Sequence, residues 1–112
     1  MESPLPVLRN FVDGSYVEPA DGKTSPVVDP CTGEIYAHAP VSTDPDVAAA
    51  MDAAERGFAT WRDATPSERQ RALLRMADAV EARAEEIIAA ECRNTGKPVE
   101  ATRREEMAPL LD

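Results

Sequence analysis

At 112 residues the chain has room for one small domain, since a polypeptide this short buries only about two-thirds of its unfolded surface, and a multi-domain enzyme is excluded. Apolar residues make up 43% and charged residues 29%, a soluble globular balance, but aromatics at 4% leave any core to Ala, Val, Leu and Ile. With 21 acidic against 12 basic residues, the net charge of −9 repels phosphate backbones and anionic lipid and argues against nucleic acid or a membrane as partner.

The front of the chain, residues 1–42, is rich in Gly, Pro and β-formers and reads as a hairpin region. Asn10-Phe11-Val12 and Ser15-Tyr16-Val17 flank Asp13-Gly14, a dipeptide that supplies the positive φ angles of a two-residue turn, so a first hairpin is expected there. A second pair of strands is expected in Pro26-Val27-Val28-Asp29 and Glu34 to Val41, joined by the turn Pro30-Cys31-Thr32-Gly33. Ile35, Ala37 and Ala39 alternate with Tyr36 and His38, which places His38 on the wetter face.

Residues 43–112 are dominated by Ala, Glu, Arg and Leu and read as helical. Thr43-Asp44-Pro45-Asp46 announces a helix that runs to about Trp61, with Val47, Ala50, Met51, Ala54, Phe58 and Trp61 on one stripe expected to be buried. Thr65-Pro66-Ser67-Glu68 is a capping box for the next, whose stripe is Leu73, Met76, Ala77 and Val80. The same phase continues through Ala84, Ile87, Ile88 and Cys92, with a break expected between Ala82 and Glu85. Gly96 and Pro98 stop the helix around Thr95. Thr102-Arg103-Arg104-Glu105 forms a third box, leading into a last helix that the chain leaves incomplete. The clustered Arg69, Arg71 and Arg75, and Arg103 with Arg104, each have Glu nearby and read as solvated helix faces.

Few residues invite chemistry. The glycines at 14, 22, 33, 57 and 96 are scattered singly, without the spacing of a dinucleotide turn. Cys31 lies in a turn beside Asp29 and Glu34, and Cys92 late on a helix whose dipole opposes thiolate, so both read as structural. Their separation matches neither a zinc knuckle nor a CxxC pair, which fits a reducing cytoplasm. His38 is the single histidine and reads as a plain strand residue, and Glu85-Glu86 and Glu105-Glu106 as surface acids. No run is apolar enough to form a signal peptide or membrane span.

Five pieces in order, Asn10-Phe11-Val12-Asp13-Gly14, Val27-Val28-Asp29-Pro30-Cys31-Thr32-Gly33-Glu34-Ile35, Phe58 with Trp61, Pro66-Ser67-Glu68-Arg69 and Asn94-Thr95-Gly96-Lys97-Pro98, make the chain similar to the N-terminal part of the aldehyde dehydrogenase superfamily. The resemblance implies an α/β protein of which this segment is α+β: N-terminal β-hairpins, then three to four α-helices, all part of an NAD(P)-binding domain. It also implies that the Rossmann core, the catalytic domain and every catalytic and cofactor-contacting residue lie in later segments. The whole protein would then oxidise an aldehyde by thiolate attack, hydride transfer to NAD or NADP, and thioester hydrolysis. It would act in the cytoplasm as a homo-dimer or tetramer.

Within the superfamily, the helix from Arg69 to Arg83 and the stretch from Glu106 to Asp112 look most like enzymes for amine-bearing aldehydes, such as 4-aminobutyraldehyde or betaine aldehyde. One site carries over by resemblance: a monovalent cation held by backbone carbonyls at Val27 and Val28 and by a carboxylate at Glu106, where the family has Asp. A stand-alone, non-catalytic helical interaction module is the alternative, since apolar stripes can equally pair with a partner chain.

Overall fold

The computed structural model describes residues 4–111 and divides into two compact units. The first comprises residues 4–28 with Ile35–Asp63, the second Asp29–Glu34 with residues 64–111.

In the first unit, β1 (Asn10–Val12) pairs antiparallel with β2 (Ser15–Val17), Phe11 opposite Tyr16. Asp13 (φ 52°) and Gly14 (φ 78°) are both left-handed, the two-residue turn whose twist suits adjoining strands. The Phe11 and Tyr16 rings meet edge to face at 5.3 Å, an aromatic pair that locks this register. The second hairpin pairs β3 (Thr24–Val28) with β4 (Ile35–Pro40), with a register shift between Val27 and Val28.

The first unit corrects two expectations. His38 is half-buried and Ile35 is exposed, so the strict alternation of β4 fails. The cause is a third chain segment: Leu8 N donates to His38 O at 2.7 Å and His38 N to Pro6 O at 2.9 Å, so Val7 lies parallel to β4 and covers it. The prolyl composition of that segment hides its strand character. Helix α1 (Asp44–Trp61) has the predicted bounds but buries no residue: Val47, Met51, Phe58 and Trp61 are all exposed. Periodicity marks a face that can be buried, and in the described first unit only β1 approaches it, beside Val47, Ala50 and Met51, of which Ala50 alone is half-buried. What anchors α1 is its N-terminus. The Asp46 carboxylate accepts from Thr43 N and Ala20 N, each at 2.8 Å, and from Thr43 Oγ1 at 2.9 Å. These donors hold Asp46 below its usual pKa, the Thr43 amide most of all.

The second unit holds α2 (Pro66–Ala82), α3 (Ala84–Thr95) and α4 (99–111). Thr65 and Glu68 form the expected reciprocal box: Thr65 N donates to Glu68 Oε2 at 2.7 Å and Glu68 N to Thr65 Oγ1 at 3.3 Å. Arg83, at φ −117° and ψ 18°, interrupts the phase between α2 and α3, inside the expected window. On α2, Ala77 and Val80 are half-buried, whereas Leu73 and Met76 are exposed. Ile88, Cys92 and Met107 form the core, packed by Val80, Ala84 and Leu111.

The start of α4 differs from expectation. Thr102 is not an N-cap. Pro98 holds extended backbone, the helix begins at Val99, and Thr102 lies buried within it, its hydroxyl donating back to Pro98 O at 3.1 Å and accepting from Cys92 Sγ at 3.4 Å. Residues Arg103–Met107 then widen into a π turn, in which Ala108 N reaches back five residues to Arg103 O. Pro109 explains it: in a regular helix its ring would press on the carbonyl four residues earlier, that of Glu105, and it has no N–H to complete the ladder.

Candidate functional site

The turn between α3 and α4 carries the densest set of polar contacts. Gly96, left-handed at φ 76°, ends α3, and a Cβ there would come within 3.2 Å of Pro30 Cγ and 3.5 Å of Cys31 Sγ. Pro98 fixes the next backbone step, so Lys97 is held between two constrained residues. Its Nζ donates to Glu106 Oε1 at 2.8 Å, Glu106 Oε2 at 3.1 Å and Glu91 Oε1 at 3.1 Å. The two carboxylates, Glu106 first, raise the Lys97 pKa. Beside it, Arg103 reaches Glu85 with Nε at 3.0 Å and Nη2 at 2.6 Å, and also bonds Glu100. These bonds raise the pKa of Arg103 and lower that of Glu85. A shallow pocket of about 300 Å³ lies between α3 and α4, lined by Ile87, Glu91, Thr102, Glu106, Met107 and Leu110.

The remaining candidates stand apart. Cys31 is exposed, its amide bonded to Asp29 Oδ1 at 2.8 Å, and Cys92 is buried against Thr102, so the two thiols occupy unlike surroundings. No group of three or more His, Cys, Asp or Glu suited to a metal occurs among the described residues. Gly14, Gly22 and Gly33 serve single turns, Gly57 lies in the interior of α1 and Gly96 caps α3. A larger groove of about 600 Å³ on the second unit is walled by Leu73, Leu74 and Ala77 of α2 and Leu110 and Leu111 of α4. No described helix is long and apolar enough to cross a membrane.

Of the carried-over cation ligands, Val27 and Val28 flank the register shift of β3 in the first unit, and Glu106 lies in the π turn of the second. Both oxygens of Glu106 are already engaged by an ammonium, so its charge is met from within the chain. Lys97 itself is legible in the sequence only as part of a motif. The signal is its place between a left-handed cap glycine and a proline, which freezes the backbone from which the side chain reaches.

Residues 16–112 match the model of the aldehyde dehydrogenase family. The chain belongs to that family. It is 36% identical over 99 residues to the 2-aminomuconic semialdehyde dehydrogenase of Bos taurus, covering 88% of this chain and 20% of that protein. A crystal structure from Burkholderia cenocepacia, provisionally assigned as an aldehyde dehydrogenase, superposes with a TM-score of 0.85 at 38% identity, over 92% of this chain and 22% of that one. The NAD+ complex of an aldehyde dehydrogenase from Bacillus cereus gives 0.84 at 27% identity, over 89% and 21%. The chain therefore spans about a fifth of the length of the aldehyde dehydrogenases it matches, and its α+β arrangement of two hairpins followed by helices is theirs.

Proposed function

We propose that the chain forms the N-terminal part of an NAD-dependent aldehyde dehydrogenase that converts an amine-bearing aldehyde to its carboxylic acid. The observation that carries this is the family match over residues 16–112, within a segment only a fifth as long as the bovine relative. NAD is favoured over NADP by the NAD+ complex of the Bacillus cereus protein, and an amino-aldehyde by the aminomuconic semialdehyde of the bovine one. In the overall reaction the aldehyde carbon gains an oxygen from water while two electrons leave it as hydride to the nicotinamide, which is the chemistry the cofactor supplies when bound. The residues in hand would build and brace the cofactor-binding domain, with the reactive groups contributed by later segments. A cytoplasmic homo-dimer or tetramer belongs to the same proposal.

The test compares two proteins under one assay, the reduction of NAD+ followed at 4-aminobutyraldehyde, betaine aldehyde and a semialdehyde substrate. The polypeptide encoded by the whole reading frame is expected to turn over at least one of them, and the 112-residue chain none. Turnover by the short chain overturns the reading. A monodisperse short chain with one sharp unfolding transition, from a reading frame that encodes nothing more, favours the interaction module instead.

A further inference from the structure

We propose that the Asp13–Gly14 bond is a site of spontaneous isoaspartate formation restrained by the Arg56 guanidinium, and that the Asp21–Gly22 bond, the same dipeptide in the same unit, is protected from it.

In this reaction a glycine nitrogen attacks the side-chain carboxyl carbon of the aspartate before it. An N–Cγ bond forms, the amide proton passes to solvent and a carboxyl oxygen leaves as water, which closes a five-membered imide. Water then adds back. Where it opens the ring at the original main-chain carbonyl, the chain runs on through the former side chain; overall no atom is gained or lost and nothing is oxidised. Glycine suits the attack because it brings no side chain to crowd the nitrogen, and even a Cβ built at Gly14 would meet nothing within 4 Å. The oxygen must leave in protonated form, so a carboxylate held in an ion pair is a poor participant.

The fold treats the two bonds differently. At Asp21, Lys23 N donates to Oδ1 at 3.0 Å and the Lys23 ammonium lies 3.2 Å from Oδ2. These contacts, the Lys23 amide first, hold the Asp21 pKa below its usual value and keep the group ionised. The nitrogen that would attack is engaged as well, since Gly22 N donates to Pro19 O at 3.0 Å. The Asp13 side chain is 70% exposed against 32% for Asp21, and its Oδ2 accepts from Arg56 Nη2 of α1 at 3.0 Å. Exposed pairs of this kind are weak, so Arg56 slows the reaction of Asp13 without abolishing it. The product should matter to the fold. Isoaspartate lengthens the main chain by one carbon inside a turn of two residues and moves the free carboxylate onto Cα, so the turn that sets Phe11 opposite Tyr16 no longer closes in the same way.

The test keeps the protein encoded by the whole reading frame, with its Arg56→Gln and Arg56→Lys variants, at neutral pH for several weeks. Each is then mapped with an endoprotease that cuts before aspartate but not before isoaspartate, and rates at both bonds are taken relative to the same protein in concentrated urea, where neither bond is shielded. The expected result is isoaspartate at residue 13 of the unmodified protein, a rate about two- to fivefold higher in Arg56→Gln and little changed in Arg56→Lys, with residue 21 far below its urea rate in all three. Absence of isoaspartate at 13, an unchanged rate there in Arg56→Gln, or equal relative rates at 13 and 21 in the unmodified protein overturns the inference. Acceleration of both bonds together in Arg56→Gln also overturns it, because Arg56 would then be holding the fold and not the carboxylate.

Discussion

The two units solve the same problem, too few apolar contacts for their length, in different ways. The second encloses a small core: Ile88 is 1% exposed, Met107 7%, and the buried Thr102 hydroxyl has both a donor and an acceptor partner in Cys92 and Pro98. The first leaves most of its α1 stripe exposed, encloses Ala37 and little else, and relies more on directional bonds at strand edges and at one carboxylate, Asp46. Burial is insensitive to pH and resists salt, whereas a carboxylate hub responds to both. The units should therefore fail under different conditions.

The largest expected effect lies in the second unit. Ile88→Ala removes the most enclosed side chain of its core and is expected to cost about 2–5 kcal/mol, read from the urea midpoint of the α3 and α4 amides by hydrogen exchange. A loss confined to the first unit would erase the contrast between the two.

The next concerns Asp46. Its folded pKa lies below the unfolded one, so its stabilisation is complete above the unfolded value and disappears as pH falls through the folded value. Asp46→Asn should lower the thermal midpoint of the first unit at neutral pH, and the curves of the two proteins should converge in acid. Curves that stay parallel as the pH falls through the acid range would show that the charge of Asp46 is not what anchors α1. The smallest effect is expected at Met51, which is 65% exposed: Met51→Gln should change stability by no more than about 0.5 kcal/mol in thermal melts, and a larger loss would mean the stripe is covered after all.

Much of this architecture is legible in the residues alone. Asp13-Gly14 names its turn, Thr65 to Glu68 its helix start, and Gly96 with Pro98 the end of α3, because each is a local device whose partners lie within a few residues. What fails to show is non-local or compensatory. Val7 lies along β4 through two backbone bonds that leave no mark on side-chain pattern. Thr102 resembles a cap in spacing, yet Pro98 begins the helix first. The stripe of α1 announces a partner without saying whether the same residues provide it. The cation assignment at Val27, Val28 and Glu106 comes from resemblance, and no local pattern in the chain could reveal that Lys97 grips the last of these.

The widened turn ahead of Pro109 bears on how members of the family are matched to one another. It takes up one residue that an unbroken spiral would not need. A homologue with alanine in place of that imino acid should dispense with the surplus, and its sequence should line up with a one-position gap between 103 and 107. Such a gap would then be a trace of helical geometry, with the residues on either side still equivalent in space.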